Sequence, residues 1–160
     1  GRSRTDRSVR FKQTPRSSRR LHLEDAMNHV TQLDAARRAV NMQRVLGGSG
    51  ALLALISVAL SAVIAHSGRL DGVQHDVLRA SATNAALFML LHGAAVTALA
   101  MQAVIPNDRY ALIVMLVGTV LFSGSVIAGA LLGTPTGLAP LGGSLLMLAW
   151  LWVAINRFWR

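Results

Sequence analysis

The sequence predicts an all-α integral membrane protein, a compact bundle of four transmembrane helices with both termini on the inner side. Three observations carry that expectation. Four stretches, residues 45–66, 85–105, 110–132 and 140–156, are almost free of charge, and each has a length of about 17–25 residues, enough for a helix to cross a bilayer. Each is also dotted with Gly, Ala, Ser or Thr, which let helix backbones approach closely in lipid. Finally, eleven of the sixteen Lys and Arg residues precede Val45, so positive charge is gathered on one side of the first span.

Composition narrows the function classes. Of 160 residues, 52% are hydrophobic and only 14% charged, and the net charge of +9 is mostly one N-terminal tail. Nucleic-acid binding needs a basic patch on an ordered element with base-reading or stacking side chains. The tail offers neither, so no nucleic-acid partner is expected. The chain has no cysteine, which removes disulfides, thiolate metal sites and cysteine nucleophiles together.

Residues 1–26 are rich in Arg and Ser and poor in apolar side chains. Such a segment cannot bury enough surface to offset its ordering entropy, so it is expected to be a disordered basic extension. It contains no methionine, and the plain reading is a non-native extension ahead of Met27 or Met42. A targeting presequence and an arm on an anionic leaflet are the rivals. Residues 27–44 place Val30, Leu33 and Val40 at near-helical spacing among Arg37, Arg38 and Arg44. That pattern suits a short interfacial helix.

Span one, Val45 to His66, repeats Ser57, Ser61 and Ala65 every four residues, a ridge of small side chains suited to helix packing. A signal peptide is the alternative, but the apolar core of about 20 residues exceeds the usual 7–15. The connection Ser67–Asn84 carries Leu70, Val73, Val77 and Leu78 on one helical face and is expected to run on into span two. Span two holds His92, Thr97 and Gln102, and Pro106 to Arg109 form a tight turn.

Span three segregates by face at roughly 100° per residue. Ile113, Leu116, Val120, Ile127 and Leu131 share one side; Gly118, Phe122, Ser125 and Gly129 share the other. The small face is expected to point into the bundle and the aliphatic face at acyl chains. Glycine is common in membrane helices generally, but segregation favours packing. After the loop at residues 133–139, Pro140 stands at a favourable first helical position for span four. Trp150, Trp152, Phe158 and Trp159 crowd its end like an interfacial aromatic belt.

Arg37, Arg38 and Arg44 precede span one and Arg157 and Arg160 follow span four, while the loop after span three has no charge. The positive-inside rule then puts both termini inside. The expected setting is a bacterial inner membrane, ahead of a mitochondrial one.

From Met42 onward the chain resembles domain-of-unknown-function family 423, small membrane proteins that include bacterial inner-membrane members and the eukaryotic transmembrane protein 256. The residues that carry the resemblance are Met42-Gln43-Arg44, Ala65-His66 and Leu91-His92-Gly93-Ala94, followed by Leu121-Phe122-Ser123-Gly124-Ser125. Pro140-Leu141-Gly142-Gly143 and Trp150 complete them. The likeness covers residues 42–157 and implies a four-helix membrane fold without an assigned activity. There are departures. Ser61 to His66 replace a Gly-Ala-Phe-Gly-Ala-His run, and Phe88-Met89 stand where the family tends to have Tyr-Gln.

His92 is the one strongly polar side chain well inside a span, and intramembrane ionisable groups are functional candidates by default. With no carboxylate in any span, a hydrogen bond bridging helices is the better reading. His66, His75 and His92 all fall toward the outer side, but their spacing matches no known metal-ligand pattern, so neither metal nor cofactor is expected. Ser123 and Ser125 sit mid-helix, not on the strand-to-helix turn an acyl-hydrolase nucleophile requires. They are expected to bond backbone carbonyls or a neighbouring helix, and no enzyme activity is expected. The resulting expectation is a structural or accessory component of a membrane complex. Its partners are the lipid bilayer and either another membrane protein or further copies of itself. The alternative is an oligomer conducting ions or a small solute. Candidate packing or polar positions are His66, His92, Gly118, Phe122, Ser123, Gly124, Ser125, Gly129, Pro140, Gly142, Gly143 and Trp150.

Overall fold

A computed structural model describes residues 15–70, 75–102 and 108–159. The described residues form four α-helices, α1 (Pro15–His66), α2 (Asp76–Gln102), α3 (Asp108–Leu132) and α4 (Ala139–Phe158), and a 3-10 turn at Gly68–Leu70. The chain divides into two units, Gly1–Arg38 and Ala39–Arg160.

In the first unit the described residues are helical from Pro15 onward. The sequence leads one to expect disorder through residue 26 and a separate helix over 27–44. Residues 1–14 lie outside the described residues; residues 15–44 form continuous helix instead. The cause is local. No Gly or Pro interrupts the chain between Pro15 and Gly47, Arg, Leu, Met, Ala and Gln all favour helix, and Pro15 is well placed at a helix start. Leu23, Met27, Val30 and Leu33 are exposed there.

The second unit is built on antiparallel neighbours. Gly47 and Gly50 of α1 face Thr97 and Gly93 of α2, and Ser57 faces Ala86. On α2 and α3, Ala100 packs with Leu112, Val96 with Met115, and Ala85 and Ala86 share a cluster with Ile127. Gly118 and Phe122 of α3 face Gly142 of α4. Thus α2 and α3 form the centre. Leu46, Leu53 and Ile64 of α1 pack on one side and Leu146 and Ala149 of α4 on the other.

This central position corrects one expectation for span three. Ile127, expected to face lipid, is only 4% exposed, and Leu116 and Leu131 pack against the core, whereas Val120 does point outward. A helix held between two neighbours buries two faces. One is the Gly118 face against α4; the other is Ala111, Leu112, Met115, Thr119 and Ser123. The helix ends at Gly133, whose φ of 70° is a left-handed conformation that costs glycine nothing. Its N–H bonds the Gly129 carbonyl at 3.0 Å.

All four helices are long and apolar enough to cross a membrane, with mean hydropathy of 2.1, 1.6, 2.4 and 1.5 in their most apolar stretches. Leu55, Leu91, Met101 and Leu151 stand more than half exposed, a surface suited to lipid and not to water. The helix α1 begins at Pro15, well ahead of the first uncharged stretch, and α2 begins at Asp76 and is described as far as Gln102.

Candidate functional site

The polar side chain that α2 carries at mid-length is His92, which is buried. Its Nδ1 lies 2.7 Å from the Phe88 carbonyl one turn earlier. Its Nε2 lies 3.2 Å from Nε1 of Trp150 on α4. An indole N–H can only donate, so Nε2 must accept, and the proton of the neutral ring resides on Nδ1, where it is donated to Phe88. Both ring nitrogens are therefore engaged. Trp150 stands eight residues before Phe158, about 12 Å along the helix. Its indole N–H turns toward α2 while the ring itself stays partly exposed, and Phe158 and Trp159 are more exposed still.

Aromatic rings gather around this bond. Phe88 stacks on His92 with centroids 5.9 Å apart, and Phe88 meets the edge of Phe122 at 5.6 Å. Trp150 meets His92 at 6.2 Å. Between α2 and α4 these rings, with Gly143 and Met147, line an open apolar groove of about 600 Å³.

The other candidate positions divide into contacts and bystanders. Gly118 and Gly142 belong to the α3–α4 seam: a Cβ on Gly118 would lie 3.0 Å from the Gly142 carbonyl, and one on Gly142 would strike the Phe122 backbone nitrogen. Gly129 packs against Thr136 of the following loop. Gly124 faces open space, and at Gly143 an added Cβ would meet only a Phe122 ring atom at 3.8 Å. Pro140 is exposed in the first turn of α4. His66 is exposed at the end of α1, its Nδ1 2.9 Å from the Ala62 carbonyl. Among the described residues no three metal-ligating side chains converge.

The serines depart from expectation. Oγ of Ser123 and of Ser125 is buried without a hydrogen-bond partner. The helix-to-helix hydroxyl bonds come from elsewhere: Ser57 donates to the Ala86 carbonyl at 2.6 Å and Thr97 to the Gly47 carbonyl at 3.1 Å. Thr119 and Ser61 bond back to their own helices.

Two features escape the sequence reading. The Gly50–Gly93 crossing is as close as the α3–α4 seam, since a Cβ on Gly93 would lie 2.7 Å from the Gly50 carbonyl. A glycine in each span was the available signal. The second is Asp108, buried at the start of α3, which accepts a 2.9 Å bond from Asn156 near the end of α4. An acidic residue in a first helical turn is a recognisable cap, but nothing local pairs it with Asn156.

A family model described as "Protein of unknown function (DUF423)" matches residues 60–143 of the chain. No curated protein and no solved structure matches it.

Proposed function

The chain belongs to the DUF423 family of proteins of unknown function, and from its geometry we propose that it is a structural or accessory component of a membrane complex. In this reading it resides in a bacterial inner membrane with both termini inside and catalyses no reaction of its own. The observation that carries the proposal is how the interior of the second unit is spent. At Gly50–Gly93 and Gly118–Gly142 the backbones meet without room for a Cβ. The hydroxyls of Ser57 and Thr97 and the ring of His92 are committed to bonds between or within helices. Such packing favours a rigid element over a water-filled path or a reacting site, since intramembrane transport sites use broken helices and free ionisable groups.

A partner would meet the outward aliphatic surface around Leu52, Leu55 and Ile56 of α1. The test is purification of the tagged protein in mild detergent with identification of co-eluting proteins. A membrane polypeptide in fixed stoichiometry is the expected result. A homo-oligomer that passes ions when reconstituted in liposomes contradicts the proposal.

A further inference from the structure

We propose that the groove between α2 and α4 is a binding site for one acyl chain of a membrane lipid. The site has walls of large rings, Phe88, Phe122 and Trp150, and a floor at Gly143 where no side chain intrudes. It opens from helices that are long and apolar enough to lie in the bilayer, so hydrocarbon is the medium that reaches it. Its volume of about 600 Å³ lies within the range of small-molecule sites.

Three observations select the occupant. First, the polar atoms in the wall are already used: His92 Nδ1 at the Phe88 carbonyl, and His92 Nε2 at the Trp150 indole. A ligand that must be held by hydrogen bonds, such as a headgroup or a polar ring, therefore finds none on offer, whereas an alkyl chain needs none. Second, the groove runs from Gly143 to Trp150, about 10 Å along α4 at 1.5 Å per residue. That fits within a single leaflet, about half of a 30 Å hydrocarbon core. Third, the rim carries Phe88, Met147 and Trp150, all exposed by 40% or more. Close helix docking in lipid favours small residues at the contact, so this rim suits a thin flexible chain better than the helix of a second copy.

Gly143 supplies the test, because a side chain there enters the groove and meets only the Phe122 ring at ordinary contact distance. The detergent-purified full chain is titrated with dioleoyl phosphatidylglycerol and with dioleoyl phosphatidylcholine and read by native mass spectrometry. The original protein and a Gly124→Leu control, altered where a Cβ meets nothing within 4 Å, should each hold one lipid with similar affinity for the two headgroups. Gly143→Leu should weaken that binding by about tenfold and Gly143→Ala by roughly threefold; the alanine variant decides the matter if the leucine variant does not fold. Equal binding by all the variants overturns the proposal. So does a tenfold preference between headgroups, which would mean a polar site. A dimer that dissociates in the Gly143 variants would make the groove a helix seam and overturn it too.

Discussion

At His92 the direction of each hydrogen bond is fixed by the partner, because Trp150 can only donate and the Phe88 carbonyl can only accept. Glutamine offers both a donor and an acceptor in a similar volume, while leucine offers neither. His92→Gln should therefore be nearly silent in detergent melting, and His92→Leu should lower stability by about 1 kcal/mol, the scale of an interhelical bond in lipid. A large loss in both variants would mean that the imidazole does something a bridge does not. The glycines make a sharper contrast. At Gly93 an added Cβ would meet backbone of α1, the Gly50 oxygen and the Ala54 nitrogen at 2.9 Å or less. Backbone cannot rotate away, so Gly93→Ala should cost about 1–3 kcal/mol by overpacking. Gly124→Ala, in open space, should cost nothing and gain slightly from helix propensity. Melting of the two variants side by side checks this.

Helix ends and seams decide stability at the next scale. The Asn156 amide bonds the buried Asp108 carboxylate and ties the end of α4 to the start of α3. Asn156→Ala should cost roughly 0.5–1.5 kcal/mol, the net worth of an intramolecular hydrogen bond; an unchanged melting curve would show the tie to be idle. By contrast, the described side chains from His22 to Arg38 are all exposed. A chain beginning at Met27 should insert and melt like the full one, and a marked loss would mean that the N-terminal arm is needed by the spans. Spans were legible in the sequence because lipid demands long uncharged runs, and the α3–α4 seam because Gly118, Phe122, Ser125 and Gly129 fall on one face. The second buried face of α3 was not legible. It is made of Leu112, Met115 and Ile127, and in lipid a buried aliphatic side chain looks the same as an exposed one. Nor does anything local in α4 report that the Trp150 indole meets His92 on α2.

For the molecule as a whole, the proposed topology has four spans with both termini on the inner side. The order α1 to α4 with antiparallel neighbours puts Ser67 and Thr136 at one end of the spans, and Arg109 and Arg157 at the other. In the proposed topology the arginine end faces the cytoplasm, as the positive-inside rule expects. Because the chain lacks cysteine, single cysteines can be placed without background and probed in intact cells with a membrane-impermeant maleimide. Cysteines at Ser67 and Thr136 should label from outside, and those at Arg109 and Arg157 should label only after the membrane is opened. Labelling of Arg109→Cys in intact cells would contradict the account.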